Sequence, residues 1–455
     1  MTPVRTPGGA SRRGLSAIAV ACAAAACAAA LAACSSSTST SAGGGAASQS
    51  AAAGQVTITF ESYNYGTPDL GGQGMQQLID DFEKAHPNIV VKPSGVSAAD
   101  IYPHVVAQAA AGNPPDIAEI GWSKVAAAVQ NLPLVAVQDI APASELTQLE
   151  HSLAPQALAA GEVNGKLTVM PFGMSTPTMY INATLFKKAG LNPGTAPASW
   201  SQAKQDALAI KKATGAEGIA IAADNAAGSD FLTQSLINSN GGSMISSSGK
   251  VQLDSPAAQG ALGMLQGLAA SGASPKVSDN DAVALFKAGK LGMYVTSTAL
   301  LSSFEKAAKG SFTLQTALMP GFGTGPAKPT YSGAGLFVFS KSKAAQQADW
   351  TFLQFLTSEE GVTVLTEDIG YLPLRSDAID SPQYLAGYLK SNPLLNPAIE
   401  QFNHMVPYQE LSSAASAQAV HDIQNDCVVP VMLNGANPAT CVNVGNQVNQ
   451  LVGAQ

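Results

Sequence analysis

The chain has 455 residues and a formal net charge of −8, and only 12% of its residues are charged. No long run of basic residues is present, so the composition argues against nucleic acid as a partner. The length exceeds what one simple hydrophobic core supports and predicts two lobes.

The first 33 residues are typical of a secretory signal. A short basic segment, with Arg5, Arg12 and Arg13, comes first. An alanine-rich apolar run follows it and leads into Leu31-Ala32-Ala33-Cys34. This ending resembles the lipobox of bacterial lipoproteins, in which the signal is cut before the cysteine and its sulfur carries a diacylglyceryl group. The resemblance implies that Cys34 is a lipidated first residue. An ordinary signal peptide and an uncleaved membrane helix are the alternatives, and the modest hydrophobicity of the run weakens the second.

A linker follows the cysteine. Residues 35–54 consist of Ser, Thr, Ala and Gly with one Gln and no charge. Such a segment buries too little apolar surface to fold. A flexible chain of this length spans about 25 Å on average, which suits a tether between a membrane and a folded domain.

Alternating strands and helices begin directly after the linker. The hydrophobic spacing predicts strands at 56–60, 89–91 and 117–120, with helices between them. Met75, Leu78, Ile79 and Phe82 lie on one face of the first helix, and the second runs from Asp100 to Ala111. Because strands and helices alternate, we expect a parallel sheet with right-handed crossovers. Ligands of such sheets bind beyond the carboxyl ends of the strands.

Capping residues mark the elements further along the chain. Asn182, Ser199 and Ser255 are predicted N-caps, and Gly215 is a predicted helix stop. Strands are expected at 218–222, 291–296 and 336–339. The last hundred residues are predicted to be mostly helical.

Two cysteines, Cys427 and Cys441, lie outside the signal region. In an exported protein a disulfide is the expected state of such a pair. Zinc binding with His421 is the alternative. The five histidines are scattered and form no pair at helical spacing, so the sequence predicts no metal.

Catalytic motifs do not form a complete set. Ser201 and Lys204 fit S-x-x-K, and Ser278-Asp279-Asn280 fits S-D-N, but the third β-lactamase element is missing. Both pieces also have structural explanations, since Ser201 falls in the first turn of a helix and Ser278 is a good N-cap. A calcium loop at Asp279 and Asp281 lacks its glycine and closing glutamate. We therefore expect no enzyme activity and no cofactor.

Several motifs resemble one family. Residues 170–182, followed by residues 185–191 and Pro197-Ala198-Ser199-Trp200, are very similar to extracellular solute-binding proteins of ABC importers. The similarity is to the maltose-binding and sn-glycerol-3-phosphate-binding types. Further motifs follow in the family's order at residues 286–297, 333–336, 350–356 and 370–373. The resemblance covers about residues 56 to 452.

The resemblance implies an α/β fold of the periplasmic-binding-protein-like type II class, with two lobes joined by three crossing segments. The expected crossings lie near 170–176, 294–297 and 332–336. After a signal at 1–33 and a linker at 34–54, the implied N-terminal lobe comprises 55–169 and 297–332. The implied C-terminal lobe comprises 170–296 and 333–455. Ligand would be held between the lobes by hinge closure.

Pocket candidates come from positions that match the glycerol-3-phosphate-binding type. They are Tyr102, Ser175, Thr176, Ser297, Thr298, Gly333 and Tyr371. Aromatic rings stack on sugar C–H surfaces, and hydroxyl groups bond ligand oxygens. Tyr63 and Trp122 are further stacking candidates at strand ends. Tyr102 has a core position as its alternative, and Gly333 a purely backbone role; Trp200 is assigned to the core.

Two departures from that type affect the expected ligand. Its pocket has an acid where this chain has Trp122, and an arginine for phosphate where residues 410–416 contain none. Phosphate recognition favours an arginine fork. Arg375 is the only arginine after Arg13, and its alternative is a solvated side chain. The acidic balance also repels anions, so the sequence predicts a neutral sugar, oligosaccharide or polyol.

The resemblance thus implies a monomeric, lipid-anchored binding component of an ABC importer on the extracytoplasmic face of a bacterial cell membrane. Its expected partners are a small-molecule ligand and the permease subunits. A glycerol-3-phosphate- or glycerophosphodiester-binding protein of the same family is one alternative. A lipid-anchored cell-wall enzyme or adhesin is another, which no catalytic constellation supports.

The anchor can be tested directly. Substitution of Cys34→Ala is expected to release the protein from the membrane or leave its signal uncleaved, because acyl chains supply the membrane affinity at roughly 0.8 kcal/mol per buried methylene. Membrane fractionation with mass spectrometry of the N-terminal peptide measures this. Wild-type protein found wholly in the culture supernatant without lipid would contradict the expectation.

Overall fold

The computed structural model describes residues 54–66, 72–224, 229–402 and 404–454. The predicted signal and Cys34 lie outside these residues, as does the predicted linker apart from Gly54. Within the described ranges, no helix combines the length and the apolar character needed to cross a bilayer.

The strands, in chain order, are β1 (Val56–Ser62), β2 (Ile89–Gly95), β3 (Ile117–Gly121), β4 (Glu162–Val163), β5 (Lys166–Leu167), β6 (Met170–Ser175), β7 (Pro177–Asn182), β8 (Glu217–Ile221), β9 (Leu291–Ser297), β10 (Leu314–Leu318) and β11 (Ser332–Val338). They form one sheet in the order β2-β1-β3-β11-β6, a second in the order β10-β7-β9-β8, and a small β4-β5 ribbon.

The helices of the first part of the chain are α1 (Tyr63–Gly66), α2 (Gly72–Ala85), α3 (Ile101–Ala110), α4 (Val125–Asn131), α5 (Val137–Ile140), α6 (Ala143–Ser152), α7 (Pro155–Gly161), α8 (Ala183–Lys188), α9 (Trp200–Thr214), α10 (Phe231–Ser239), α11 (Pro256–Ala270), α12 (Asp279–Lys287) and α13 (Leu301–Ala308). After β11 come α14 (Lys343–Leu356), α15 (Glu359–Val364), α16 (Ser376–Asp380), α17 (Leu385–Ser391), α18 (Asn396–Phe402), α19 (Ser416–Asp422), α20 (Val429–Asn434) and α21 (Cys441–Leu451). Short 3-10 and π turns link several of them.

The first sheet is mixed rather than wholly parallel. Strand β1 pairs in parallel with β2 and β3, as the strand–helix alternation predicts. Strand β11 runs antiparallel between β3 and β6. Sequence periodicity identified β11 only in part and did not reveal β6, because both are short, buried strands without polar alternation.

The apolar faces of helices cover this sheet. Helix α2 buries Met75, Leu78, Ile79 and Phe82, which confirms the predicted face. Phe60 of β1 and Phe82 meet the ring of Phe352 on α14 at centroid distances of 5.4 and 4.8 Å. A buried aromatic side chain of this kind contributes roughly 1.5–3 kcal/mol.

Helices α8, α9, α12 and α18 pack on the second sheet. Ser199 and Ser255 cap their helices as predicted, because their hydroxyl oxygens accept bonds from Gln202 N and Ala258 N. Gly215 ends α9 with a φ of 73°, the left-handed conformation that favours glycine. Ser278 caps α12 by accepting from Asp281 N, so the S-D-N motif is a helix start. Trp200 is buried, as expected for a core residue.

Sheet membership differs from the expected lobe boundaries. Strand β10, at 314–318, belongs to the second sheet, although residues 297–332 were assigned to the N-terminal lobe. Strand β11, at 332–338, belongs to the first sheet, although residues from 333 onward were assigned to the C-terminal lobe. Strand β6 likewise lies in the first sheet. The reason is the antiparallel pairing of β11 with both β3 and β6, which no local pattern encodes.

The passages between the sheets shift accordingly. The chain leaves the first sheet at Thr176, between β6 and β7, and returns to it in the segment 319–331. The expected crossing at 294–297 is instead the end of β9 within the second sheet. The chain then passes from α14, which packs on β1, to α18, which packs on β7 and β10.

Cys427 and Cys441 are joined in a disulfide that ties α21 to the turn before α20. This arrangement excludes the two sulfurs as zinc ligands. His421 is largely exposed and faces Asp422 on its own helix. In the described part of the chain, no group of three His, Cys, Asp or Glu side chains could hold a metal ion.

The disulfide leads to a measurable expectation. Because the two sulfurs are bonded to one another, thiol reagents are expected to label neither cysteine in unreduced protein, even after unfolding. Reduction of the unfolded chain should lower the free energy of unfolding by about 3 kcal/mol, because the bond closes a loop of 14 residues. Thiol titration and urea unfolding measure both effects. Labelling of two thiols in unfolded, unreduced protein would contradict the pairing.

Candidate ligand-binding cleft

The carboxyl ends of strands from both sheets open onto one cleft of about 750 Å³. From the first sheet come residues that follow β1, β2, β3 and β6 and those that begin β11. From the second come the end of β9, the start of α10 and one face of α12. Tyr371 and Tyr408 reach the cleft from the C-terminal segment. Open α/β sheets place ligands at such strand ends.

Aromatic side chains dominate the lining: Tyr63, Tyr102, Trp122, Phe231, Tyr331, Tyr371 and Tyr408. Tyr331 stands between two of them, with ring centroids 6.3 Å from Trp122 and 6.2 Å from Tyr408. The Trp122 Nε1–H donates to the carbonyl oxygen of Gly173 at 2.9 Å, which fixes the indole. The ring faces therefore form a largely fixed apolar wall with polar tips.

A buried hydrogen-bond network supports part of this wall. Glu119 on β3 is fully buried and accepts from Ser62 Oγ and Asn64 Nδ2, each at 2.5 Å, and from Asn64 N at 3.3 Å. Tyr371 donates from its hydroxyl to Asn64 Oδ1 at 3.4 Å. The hydroxyl oxygens of Tyr63 and Tyr371 are 3.1 Å apart. A single chain of bonds thus joins Glu119 to two phenols that line the cleft.

Burial governs ionisation in this network. It raises the pKa of the Glu119 carboxyl to about 7, although the bonds from Ser62 and Asn64 oppose the shift. Burial also raises the pKa of both phenols above the ordinary value, and the carboxylate nearby adds to that shift. Tyr63 and Tyr371 are consequently neutral hydroxyls at physiological pH, while Glu119 changes charge near neutrality.

A second polar cluster lies where α10 meets the C-terminal segment. Tyr408 donates its hydroxyl hydrogen to Asp230, and Gln234 Nε2 donates to the same carboxylate at 3.1 Å. Burial raises the pKa of Asp230, and the nearby Lys124 ammonium lowers it in part. Burial also lowers the pKa of Lys124, against the attraction of Asp230. Lys124 lines the cleft, where its charge is partly compensated by this acid.

Glu410 connects this cluster to helix α4. Its Oε2 accepts from the Ala126 backbone N–H at 2.8 Å, at the start of α4. Burial, with a smaller contribution from the charge of Asp230, raises the pKa of Glu410 to about 7, and the bond from Ala126 N–H opposes the shift. The adjacent Gln409 bonds Gln234 through its backbone N–H and C=O. This short segment therefore spans the two sides of the cleft.

Most of the predicted pocket residues line the cleft. They are Tyr63, Tyr102, Trp122, Ser175, Ser297, Gly333 and Tyr371. Tyr102 is only half-buried, with its hydroxyl oxygen 3.3 Å from Asn131 Nδ2. The structure thus does not place it in the closed core, the alternative considered for this residue.

Three predicted pocket residues do not line it. Thr176 and Thr298 are buried beside one another, with the Thr176 N–H donating to Thr298 Oγ1 at 3.4 Å. Arg375 binds the carboxylate of Asp377 through Nε and Nη2, at 2.9 and 2.5 Å, and the Thr357 carbonyl through Nη1. The guanidinium is thereby occupied away from the cleft.

The sequence did not single out several lining residues: Lys124, Phe231, Lys287, Tyr331 and Tyr408. Lys124 lies two residues after Trp122, and Tyr331 lies two residues before Gly333. Their position next to a strand end could therefore have identified both. Tyr408, by contrast, comes from a segment with no strand near it. Asp279, singled out for catalysis and calcium, lines the cleft and accepts from Tyr294 Oη.

This arrangement of two sheets, chain passages between them and a cleft at their strand ends defines a two-lobed solute-binding fold. The model of the family described as bacterial extracellular solute-binding protein matches residues 77–395. The chain belongs to this family. Its fold is of the periplasmic-binding-protein-like type II class.

Curated relatives match part of the chain. A binding protein of Brucella abortus is 29% identical over 244 residues, which cover 52% of this chain and 56% of the relative. The aligned region thus spans about half the length of the first such relatives. The sn-glycerol-3-phosphate-binding periplasmic protein UgpB of Pectobacterium atrosepticum is 25% identical over 351 residues, 74% of this chain and 78% of that protein.

Solved structures match more of it. The GacH receptor of Streptomyces glaucescens, studied unliganded and with acarbose, aligns with a TM-score of 0.75 and 21% identity over 88% of this chain and 99% of that chain. UgpB of Mycobacterium tuberculosis in complex with glycerophosphocholine aligns with a TM-score of 0.73 and 22% identity, over 88% and 98%. At these identities the similarity shows the fold.

Glycine is required at position 333 by the backbone. Its φ is 113°, and a Cβ there would lie 2.2 Å from the carbonyl oxygen of Gly173. Gly333→Ala is therefore expected to lower the free energy of unfolding by about 2 kcal/mol or more, through strain and a backbone clash. Urea unfolding measures the change.

Gly325→Ala provides the control for this substitution. A Cβ at Gly325 meets nothing within 4 Å, so this variant is expected to stay within about 0.5 kcal/mol of wild type. Equal stability of the two variants would contradict the role assigned to Gly333.

Proposed function

We propose that this protein is the lipid-anchored substrate-binding component of an ABC importer, and that it captures a carbohydrate or polyol by hinge closure and delivers it to the permease. The observation that carries the ligand class is the cleft lining. Aromatic rings and hydroxyl groups surround a space of about 750 Å³, which accommodates a ligand larger than a single small ion.

The polar groups of the lining support a ligand rich in hydroxyls. The hydroxyl groups of Ser175, Ser297 and Ser332 can both donate and accept, and the tyrosine hydroxyl oxygens can accept, so together they match sugar hydroxyls, which do both. The rings of Trp122 and Tyr331 offer apolar faces beside them. Sugar rings present this same alternation of C–H faces and hydroxyl edges.

Charge supports a neutral ligand over a phosphate ester. Arg375, the residue considered for phosphate, is held by Asp377 and Thr357. Lys124 and Lys287 line the cleft and favour the alternative, a glycerol phosphate or glycerophosphodiester. Against that alternative, Asp230 lies close enough to Lys124 to affect its pKa, and Asp279 also lines the cleft. A lysine ammonium whose charge is partly neutralised by a nearby carboxylate binds phosphate less well than one without such a neighbour.

Hinge closure is supported by the way the sheets are connected. The passage at Thr176 is one residue long between β6 and β7, and the return runs through 319–331. Short passages of this kind permit rotation of two otherwise rigid halves about a few backbone bonds. A ligand that contacts both halves binds the closed form better and shifts the population toward it.

The importer assignment rests on the family and on the signal and lipobox-like sequence at the start of the chain. Similar proteins include UgpB, named for sn-glycerol-3-phosphate, and GacH, studied with acarbose. An enzyme or adhesin on the same fold remains the rival. Turnover of a hydrolase substrate panel would favour that rival.

Calorimetric titration with maltose tests the ligand class. Tyr102→Ala is expected to weaken binding by about 1–3 kcal/mol, because a stacking surface is lost from the cleft. Tyr384→Ala is the matched control, since Tyr384 lies outside the cleft in a small cluster with Leu385; it should leave the affinity unchanged. Absence of binding to every sugar and polyol in a thermal-shift panel would contradict the proposal.

Arg375 separates the two ligand classes. Arg375→Ala is expected to leave maltose affinity unchanged, because its guanidinium bonds Asp377 and Thr357. If instead glycerophosphocholine binds tightly and this substitution abolishes its binding, the alternative replaces the carbohydrate assignment, since loss of a charge-assisted arginine fork costs several-fold more than loss of a surface residue.

A further inference from the structure

The network beneath the cleft contains a proton whose position can be derived. An ionised carboxylate only accepts hydrogen bonds, so the Asn64 group 2.5 Å from Glu119 Oε1 must be the amide nitrogen. The amide oxygen of Asn64 then faces Tyr371, which donates its only hydroxyl hydrogen to it. With that hydrogen used, the bond between the phenols must be donated by Tyr63.

The result is a pair of phenols in which the donor and the acceptor of each hydrogen bond are defined. Both hydroxyl hydrogens are used inside the network when Glu119 is ionised. What Tyr63 and Tyr371 retain is oxygen lone pairs, and both side chains line the cleft. A ligand hydroxyl can donate to those lone pairs, whereas a fully ionised phosphate oxygen has no hydrogen to give.

Protonation of Glu119 reverses this order. Its Oε2 already accepts from Ser62 Oγ and Asn64 N, so Oε1 is the oxygen with a lone pair to spare. A proton on Oε1 faces the amide nitrogen of Asn64, and the clash of two donors is relieved when the amide turns over. The amide nitrogen then donates to the Tyr371 oxygen, and the Tyr371 hydroxyl hydrogen becomes available to Tyr63 or to a ligand.

We propose that Glu119, acting through Asn64, is a positioning residue that sets the hydrogen-bond polarity of the Tyr63–Tyr371 pair. With Glu119 ionised, the cleft accepts from the hydroxyl of a sugar or polyol. With Glu119 protonated, it donates to an anionic oxygen. This inference deepens the proposed function and rests on it for the identity of the ligand, but the network itself is independent of any ligand.

The hydrogen bonds through Asn64 are the main route by which the charge of Glu119 affects the two phenols. The titratable groups coupled to it are Tyr63 and Tyr371. Glu61 lies on the neighbouring strand β1. Elements packed on the first sheet carry the charged or titratable residues Tyr65, Asp80, Asp81, Glu83, Lys84, Tyr102, His104, Lys124, Lys343 and Asp349, and the turn packed on α2 carries Glu367 and Asp368. Among the described residues, hydrogen bonds to the carboxyl group of Glu119 come only from Ser62 and Asn64. Its pKa of about 7 places the exchange between the two orders near neutral pH.

Tyrosine labelled with ¹³C at Cζ gives a readout that needs no ligand. The chain has 10 tyrosines, and Tyr63→Phe and Tyr371→Phe assign the two signals. We expect both signals to shift in one step as pH passes through neutrality. The step should vanish in Glu119→Gln and shrink in Asn64→Ala, which interrupts the relay but keeps the carboxyl group.

Asp349→Asn is the matched control. Burial raises the pKa of Asp349 to about 8, so it is a second buried acid that titrates near the same pH, on α14. This variant should keep the step at Tyr63 and Tyr371. Signals that stay flat from about pH 5.5 to 8.5 in wild type, or a step that persists in Glu119→Gln, would overturn the inference.

Calorimetric titration measures how ligand affinity depends on the charge of Glu119. Maltose affinity of the wild type should rise about tenfold from pH 5.5 to 8.5, since the ligand selects the ionised form, with proton release on binding near pH 7. Glu119→Gln should show no such rise. An equal rise in both proteins would overturn the inference. If neither maltose nor glycerophosphocholine binds, the ligand assignment fails while the tyrosine signals still decide the role of Glu119.

Discussion

The pairing of β11 with β3 on one side and β6 on the other is the constraint on which the rest of the structure depends. It obliges the chain to leave the first sheet at Thr176, build the second sheet, and come back to finish the first. The close approach of Gly333 to Gly173 in that pairing leaves no room for a side chain. Two halves held by such passages must face each other with a cleft between them.

The cleft combines a rigid aromatic wall with ionisable groups that are expensive to bury. Glu119, Asp230 and Glu410 all have raised pKa values because burial disfavours the charged form. Each is compensated by donors: Asn64 and Ser62 for Glu119, Tyr408 and Gln234 for Asp230, and a backbone N–H for Glu410. Buried polar networks of this kind fix the position of the side chains they hold. In this molecule those side chains are the tyrosines of the cleft.

Local signals in the sequence were sufficient for much of the fold and part of the site. Caps at Ser199, Ser255 and Ser278 and the apolar face of α2 depend on neighbours within one helical turn, so they could be read correctly. Family motifs led to Tyr102, Ser175, Ser297, Gly333 and Tyr371, and position at a strand end led to Tyr63 and Trp122. The motifs did not locate Thr176 and Thr298 correctly, because these two side chains are buried beside one another. Arg375 was considered as the only arginine after Arg13, but Asp377 and Thr357 hold its guanidinium, and the sequence does not reveal such competition.

By itself, the sequence determined much of the succession of helices and strands, because hydrophobic period and capping act over a few residues. Its motifs, through their resemblance to a family, led to the class of fold and to an aromatic, hydroxyl-rich set of candidate residues. Only the tertiary structure decided the membership of β10 and β11 and the approach of Tyr408 to the cleft. It alone also decided the joining of Glu119 to Tyr63 and Tyr371. Those contacts link residues 55 to 308 positions apart, and no periodicity spans such distances.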